Sequence, residues 1–250
     1  MNRKEFFATK LIDAVLTDVE GLGAEREEYD PILGLRKYRW VKNVSAAALT
    51  QGMICSWEKM MTGSPFTVTG NPGNNAVGVI QFAAASFTAR ALGGMFARVH
   101  DDAGAAGAAP EGEIHRIRTN TDALISLADD DPLTVPCLVG DTVVIFRPYH
   151  VVATADADGQ PEVAGIVQAP SLAINSFGWV QTFGIGIANV IAAGTAVAAG
   201  ALLKVNGTNN NLLTAADAAD NGEVVAAALA NGVQSDTVLR KALVAIRGWN

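Results

Sequence analysis

Glycines at a fixed distance from one another, set in short runs of Ala, Val, Ile and Leu, constrain this 250-residue chain more than any other feature. Gly52 and Gly78 are 26 residues apart, Gly140 and Gly165 are 25 apart, and Gly200 and Ala226 are again 26 apart. The first member of each pair lies in Leu49-Thr50-Gln51-Gly52-Met53-Ile54-Cys55, in Leu138-Val139-Gly140-Asp141-Thr142-Val143-Val144-Ile145, and in Ala198-Ala199-Gly200-Ala201-Leu202-Leu203-Lys204. The second lies in Ala76-Val77-Gly78-Val79-Ile80-Gln81-Phe82, in Val163-Ala164-Gly165-Ile166-Val167-Gln168-Ala169, and in Val224-Val225-Ala226-Ala227-Ala228-Leu229. Turn formers separate the two halves: Asn71-Pro72-Gly73-Asn74, Asp156-Ala157-Asp158-Gly159, and Asn206-Gly207. Glycine between short β-branched runs suits strands and tight turns, so each unit reads as a hairpin-like pair, used three times.

A second echo lies in the tryptophans. Tyr38, Trp40 and Lys42 alternate with Arg39, Val41 and Asn43, a period of two that predicts a strand with two differently used faces. Arg39-Trp40-Val41-Lys42 precedes the first unit and Gly178-Trp179-Val180-Gln181 the third, which predicts the start of two separate β modules. Upstream, Phe7, Leu11, Ile12, Val15, Leu16 and Val19 fall at spacings of three and four, with Lys4, Lys10, Asp13 and Asp18 opposite. That predicts an amphipathic helix over residues 3–20, ended by Gly21 and Gly23. It either packs on its own domain or serves as an arm that docks on a neighbouring subunit. Residues 25–31 are charged and turn-like and read as a linker. Residues 83–135 interrupt the pattern: 83–99 suit a helix or strands, 101–110 a loop, and 111–135 a strand followed by a short helix. The expected fold is mainly β, with tandem small barrel-like modules, an N-terminal helix and an irregular insertion. Its expected parts are an arm and linker (1–35), a β domain carrying the insertion (36–175), and a C-terminal module (176–250).

Half of the residues are hydrophobic but only 6% are aromatic, so the apolar mass is small side chains that bury little area each. Such a chain often gains stability by association. The net charge of −7 repels phosphate backbones, and no nucleic-acid partner is expected. The local basic cluster, Arg36-Lys37-Tyr38-Arg39 with Lys42, reads as a solvated strand face. Cys55 and Cys137 sit among apolar neighbours and read as small core residues rather than a disulfide framework. Lys10 and Asp13 break any signal-peptide core, and residues 184–203 are too rich in Ala and Gly for a membrane span. A soluble protein with no membrane partner is expected.

Residues for chemistry are sparse. His100, His115 and His150 stand alone, without the paired spacing of a zinc site. Asp156-Ala157-Asp158-Gly159 with Glu162 lacks the full alternation of a calcium loop and reads as a solvated turn. Gly184-Ile185-Gly186 opens like a dinucleotide fingerprint, but Asn189 stands where a third small residue belongs and β-type punctuation follows. There is no Gly-x-Ser-x-Gly elbow and no Walker-type Gly-Lys-Thr. Neither an enzyme activity nor a cofactor is expected.

Gly178-Trp179-Val180-Gln181-Thr182, the glycine turn within Ala198 to Leu203, Asn221-Gly222-Glu223-Val224-Val225-Ala226-Ala227-Ala228-Leu229 and the final run Ala242-Leu243-Val244-Ala245-Ile246-Arg247 together resemble tailed-bacteriophage head decoration, or cement, proteins. Tyr38 to Val44 with Ala48-Leu49-Thr50-Gln51-Gly52 resembles a more divergent copy of the same pattern. The resemblance implies β-tulip-like domains and a homotrimer that sits on the outside of an icosahedral capsid, made in the host cytoplasm. It would clamp copies of the major capsid protein, each modest contact multiplied over many sites. Expected contacts to capsid or neighbouring subunits are Phe6, Phe7 and Leu11 of the predicted helix and Arg36, Lys37 and Arg39 of the basic strand. The alternative is a host-glycan-binding head fibre or spike, or another tail-associated virion component.

Overall fold

The computed structural model describes residues 7–59, 65–70, 76–84, 86–101, 109–153, 163–191, 197–205, 213–216, 225–229 and 240–246. These are mainly β, and no helix occurs among them. The chain forms two compact units, Met1–Trp57 with Tyr149–Asn250, and Glu58–Pro148. The sequence-drawn lines at 35/36 and 175/176 both fall inside the first unit. In chain order the strands before the second unit are β1 (Ala14–Val15), β2 (Glu25–Asp30), β3 (Gly34–Asn43), β4 (Leu49–Thr50) and β5 (Ile54–Lys59), the last crossing into it. The second unit holds β6 (Phe66–Thr67), β7 (Val79–Gln81), β8 (Phe96–Asp101), β9 (Ile114–Asn120) and β10 (Leu124–Leu127), and β11 (Thr142–Ala153) leads out of it. Then follow β12 (Val163–Val167), β13 (Ser171–Leu172), β14 (Phe177–Val190), β15 (Leu202–Val205), β16 (Leu213–Ala215), β17 (Ala226–Ala228) and β18 (Arg240–Ile246).

One small device recurs through both units. Met53 N–H donates to the Thr50 carbonyl (3.0 Å), Gly52 N–H donates to the Val167 carbonyl (3.0 Å), and Val167 N–H returns to the Met53 carbonyl (2.9 Å). The strand that follows pairs Ile54 with Ile166 and Cys55 with Gly165. Gly140 repeats the pattern on Val68, with Thr142 opposite Thr67 and Val143 opposite Phe66. Gly200 repeats it on Ala228, with Leu202 opposite Ala227 and Leu203 opposite Ala226. The same three hydrogen bonds also form at Gly23 on Trp40, Gly94 on Ile117, Gly112 on Val99, and Asn175 on Asn43. The turn residue has φ of 86°, 103°, 85°, 91°, 83°, 84° and 61° at positions 52, 140, 200, 23, 94, 112 and 175. A turn of this kind needs positive φ at its third residue, which glycine adopts freely and asparagine tolerates. Each turn thus satisfies its own amide on a neighbouring strand and sets the register of the strand it launches.

The three glycines singled out by spacing therefore do share one role, but their partners differ from the hairpins expected. Only Gly200 turns onto the run assigned to it, β17. The turn at Gly52 sits on β12, and that at Gly140 on Val68 after β6; β7, expected beside Gly52, pairs with β10 instead. The tryptophan echo is likewise one structure rather than two: β3 and β14 are antiparallel neighbours with Trp40 opposite Trp179.

In the first unit β14 is the spine. Its N-terminal half pairs with β3 and β12, and its C-terminal half, from Gly184, pairs with β18. The strand changes partners at a bulge after Gln181, whose buried amide donates to the carbonyls of Phe183 (3.1 Å) and Ile185 (3.0 Å). A Cβ on Gly184 (φ +93°) would lie 2.3 Å from the Leu35 carbonyl oxygen, and one on Gly186 would meet the Gln181 side chain at 2.4 Å. Gly184 allows close approach to β3 and Gly186 to a side chain of its own strand; no dinucleotide loop forms there. Val190, Leu203, Val205, Leu213 and Ala226 fill one core of this unit, and Val41, Leu49, Cys55, Val167 and Val180 another.

The second unit covers most of what was expected to be an irregular insertion, and it is regular. Strands pair in the order β6, β11, β8, β9, β10, β7, all antiparallel, and the pairing returns to the start through a Gly70–Gln81 bridge. Val68, Ile80, Ile117, Ile125, Leu127, Val143 and Ile145 are buried inside, with Phe66, Phe82 and Phe87 in mutual edge contacts of 5.1–6.2 Å.

The helix predicted over residues 3–20 does not form in its described part: residues 7–20 make turns and the two-residue strand β1, which pairs Ala14 with Gly178. Local chemistry explains this. Asp13 accepts the Lys10 amide (2.7 Å), and Asp18 accepts the amides of Gly21 (2.9 Å) and Leu22 (2.8 Å). Such side-chain acceptors offer the backbone an alternative to helical bonds.

Candidate functional site

Glu25-Arg26-Glu27-Glu28-Tyr29-Asp30, expected to be a linker, is a strand. It forms a hairpin with β3 in which Glu25 faces Arg39, Glu27 faces Lys37 and Glu28 faces Arg36. Opposite charges directly across an antiparallel pair are mutually stabilising, and the register is read from them. Lys37 meets Glu27 at 2.7 Å, Arg36 lies 3.5 Å from Glu28 and 3.8 Å from Asp30, and Arg39 pairs with Glu25. The Glu27 hydrogen bond raises the Lys37 pKa. Residues 25–39 carry four acids and four bases, so Arg36, Lys37 and Arg39 of the basic cluster are each met by an acid of β2, while Lys42 lies beyond the hairpin pairing. Such surface pairs contribute little stability, about 0–1 kcal/mol each; their consequence is a hairpin without net charge.

Of the expected contact residues, Phe7 and Leu11 pack against the tryptophan cluster and Arg36, Lys37 and Arg39 pair with acids of β2. Phe7 stands edge-on to Trp179 (5.3 Å, 88°), under the Arg26 guanidinium 5.0 Å away. Phe7, Leu11 and Val15 cover the fully buried Tyr38, Trp40 and Trp179. Arg26 fastens this segment by donating to the Thr9 carbonyl (3.0 Å) and to Glu28 (2.5 Å). Trp179 Nε1 donates to Thr9 Oγ1 (2.9 Å) and Trp40 Nε1 to Asp18 Oδ1 (2.9 Å). Phe6 lies outside the described residues. The burial of Trp40 and Trp179 also removes them as a glycan-stacking platform.

What the hairpin does leave outside is its tip. Ile32 is 89% exposed, Tyr29 77% and Leu35 39%. Tyr29 is opposite Leu35, and Phe183 of β14 is opposite Lys37, so Tyr29, Leu35 and Phe183 lie on one face of three adjacent strands. The turn at the tip is closed by Asp30, whose Oδ1 accepts the amides of Ile32 (2.8 Å) and Leu33 (2.9 Å), bonds that also hold its carboxyl below the usual range. Charge patterning drew attention to the stalk of this hairpin, whereas the signal for its tip was Ile32-Leu33 in a turn between Pro31 and Gly34, where polar residues are usual.

No family model, no curated protein and no solved structure matches this chain.

Titratable groups gather at a second place, in the Glu58–Pro148 unit. The ring of His115 is buried between Glu113 (Nε2 to Oε2, 3.0 Å) and Asp131 (Nδ1 to Oδ1, 3.0 Å). Glu113 also accepts the Thr134 amide (3.0 Å) and hydroxyl, and Asp131 Oδ2 accepts the Arg116 amide (2.7 Å). The network ties the loop at 129–134 to β9. Burial pushes the Glu113 pKa up, but the Thr134 hydroxyl and amide and then His115 outweigh it, and the net shift is downward. Its contribution to stability is therefore full above the unfolded pKa of about 4.3 and is lost as pH falls through the lower folded value. Protection against hydrogen exchange in peptides spanning residues 113–134, corrected for the intrinsic pH dependence of exchange, is expected to fall as pH drops below the unfolded carboxylate value of about 4.3. Glu113→Gln is expected to flatten that acid limb while raising exchange at pH 7; an unchanged acid limb in the variant refutes the assignment. Cys55 and Cys137 are both buried and form no disulfide with each other, and burial pushes the Cys55 thiol up to about 12. Among the described residues no three potential metal ligands converge, and the Asp156–Glu162 turn lies outside them.

Proposed function

We propose that this chain is a virion structural protein, a homotrimeric cement or decoration protein that binds the outside of an icosahedral phage capsid through the major capsid protein. It is made in the host cytoplasm and acts on the particle, with no reaction of its own. The observation that carries this reading is the hairpin whose charges cancel internally while Tyr29, Ile32, Leu35 and Phe183 stay exposed. Apolar groups held out by a stalk whose charges cancel suit contact with another protein subunit, as in the homo-oligomer of a particle component, rather than with phosphate. The strand sequences that resemble β-tulip decoration proteins, at 178–182, 198–203 and 242–246, lie in or beside β14, β15 and β18 of the same unit.

The test is to purify particles of the source phage and quantify this chain by mass spectrometry. Copies comparable in number to capsid trimers, with heads that release DNA at lower temperature when the gene is deleted, are expected. Particles that lack the chain end the proposal.

A further inference from the structure

Beside the hairpin lies a groove of about 490 Å³, lined chiefly by Phe7, Leu11, Ile12, Arg26 and Glu28. Its lining is mostly apolar, with Ile12 54% exposed at the rim. Strand alternation fixes where the groove and the tip lie relative to each other. Arg26 and Glu28 are half-buried on one face of β2, while Glu25, Glu27 and Tyr29 are exposed on the other. Tyr29 and Leu35 therefore point away from the groove that their own hairpin lines. Ile32 sits only four residues beyond Glu28, on a turn closed by Asp30, and cannot fold back into it.

We propose that the tip of one copy, Ile32 with Tyr29 and Leu35, docks into the Phe7–Leu11–Ile12 groove of a second copy. The occupant is another molecule of this chain because the chain carries both an apolar groove that no described residue fills and an exposed apolar tip, on opposite faces of one hairpin. Direct pairing of one β2 edge with another is disfavoured: the strand carries Glu25, Glu27, Glu28 and Asp30 against Arg26 alone, and like charges would face each other. The contact is head-to-tail, so each copy offers one tip and one groove, and copies close into a ring when the rotation allows. The turn, already closed by Asp30, loses little freedom on docking. This deepens the homo-oligomer part of the proposed function and is tested without a capsid, so the two fail separately.

The experiment is analytical ultracentrifugation of the full chain, of a tip variant (Ile32→Lys) and of a groove variant (Ile12→Lys). Both residues are exposed, and tryptophan fluorescence verifies that each variant is folded. Wild type is expected to sediment as an oligomer, and each variant alone as the 25.9 kDa monomer, with self-association at least about 30-fold weaker. An equimolar mixture of the two variants is expected to give a heterodimer, because one supplies an intact tip and the other an intact groove. A monomeric wild type overturns the proposal. So does a mixture that stays monomeric, as does an oligomer that survives both substitutions, which would place another contact or another partner on these surfaces.

Discussion

Removing residues 1–24 is expected to unfold or nearly unfold the unit that contains the tryptophans. The truncation takes away Phe7, Leu11 and Val15, which cover Trp40 and Trp179, and Thr9 and Asp18, which accept their indole protons. It also removes the Gly23 turn that sits on Trp40, and β1 from the edge of β14. With about 1.5–3 kcal/mol for each large apolar side chain fully buried, partial exposure of this cluster costs roughly 4–6 kcal/mol. That is a large share of a typical total of about 5–15 kcal/mol. The measurement is clean because Trp40, Trp57, Trp179 and Trp249 all fall in this unit and none in Glu58–Pro148. The expected result is red-shifted emission and a much lower urea midpoint. Phe7→Ala alone is expected to lower the midpoint by a smaller step. A truncated chain with unchanged emission and midpoint would restore the reading of this segment as a detachable arm.

That segment shows why the sequence misled. Phe7, Leu11 and Val15 recur every four residues and do bury together, which is the helical signal. A helix on the same face would also have taken in Ile12, Leu16 and Val19, yet these are 54%, 77% and 48% exposed. Asp13 and Asp18 capture backbone amides and turn the chain, an interaction that apolar spacing does not register.

The glycine turns were legible for the opposite reason. Positive φ at Gly52, Gly140 and Gly200 is a local demand of the backbone, and it leaves its mark in the residue type. Which strand receives each turn is settled at long range: Gly52 turns onto Val167 and Gly140 onto Val68, and nothing near either glycine names its partner. The equal spacings describe an antiparallel pairing only at Gly200, and there β16 intervenes in the chain between the paired strands β15 and β17. Four further turns of the same kind lie outside that spacing, and at one of them asparagine stands in place of glycine, at position 175. The charged hairpin failed in a related way. Residues 25–30 lack apolar alternation and resemble a linker alone, and only beside Arg36, Lys37 and Arg39 do their charges become a register.

Asn43→Ala is expected to cost about 3–5 kcal/mol, more than any ordinary surface change. Asn43 is fully buried at the end of β3, and its Nδ2 reaches the carbonyls of Ala47 (3.1 Å), Leu172 (2.8 Å) and Ala173 (3.2 Å). Its Oδ1 accepts the Ser45 amide (2.9 Å) and the Ser45 hydroxyl (2.5 Å). Its backbone closes the Asn175 turn, accepting from Asn175 N–H (2.8 Å) and donating to the Ser176 carbonyl (2.9 Å). One side chain thus ties the loop after β3 to the turn that launches β14. Alanine keeps the backbone bonds but takes from the Leu172 carbonyl and the Ser45 amide their buried side-chain partner, each worth about 1–3 kcal/mol when left unpaired, while the Ala47 and Ala173 carbonyls keep Ser45 Oγ and the Ser176 amide. Asn43→Asp is expected to be at least as harmful despite equal size, since it exchanges the donor for a carboxylate facing three carbonyl oxygens. Ser45→Ala, which removes one hydroxyl from the same knot, is expected to cost only about 1 kcal/mol. Urea denaturation followed by tryptophan emission ranks the three, and an aspartate variant as stable as wild type would show that the Nδ2 bonds carry no weight.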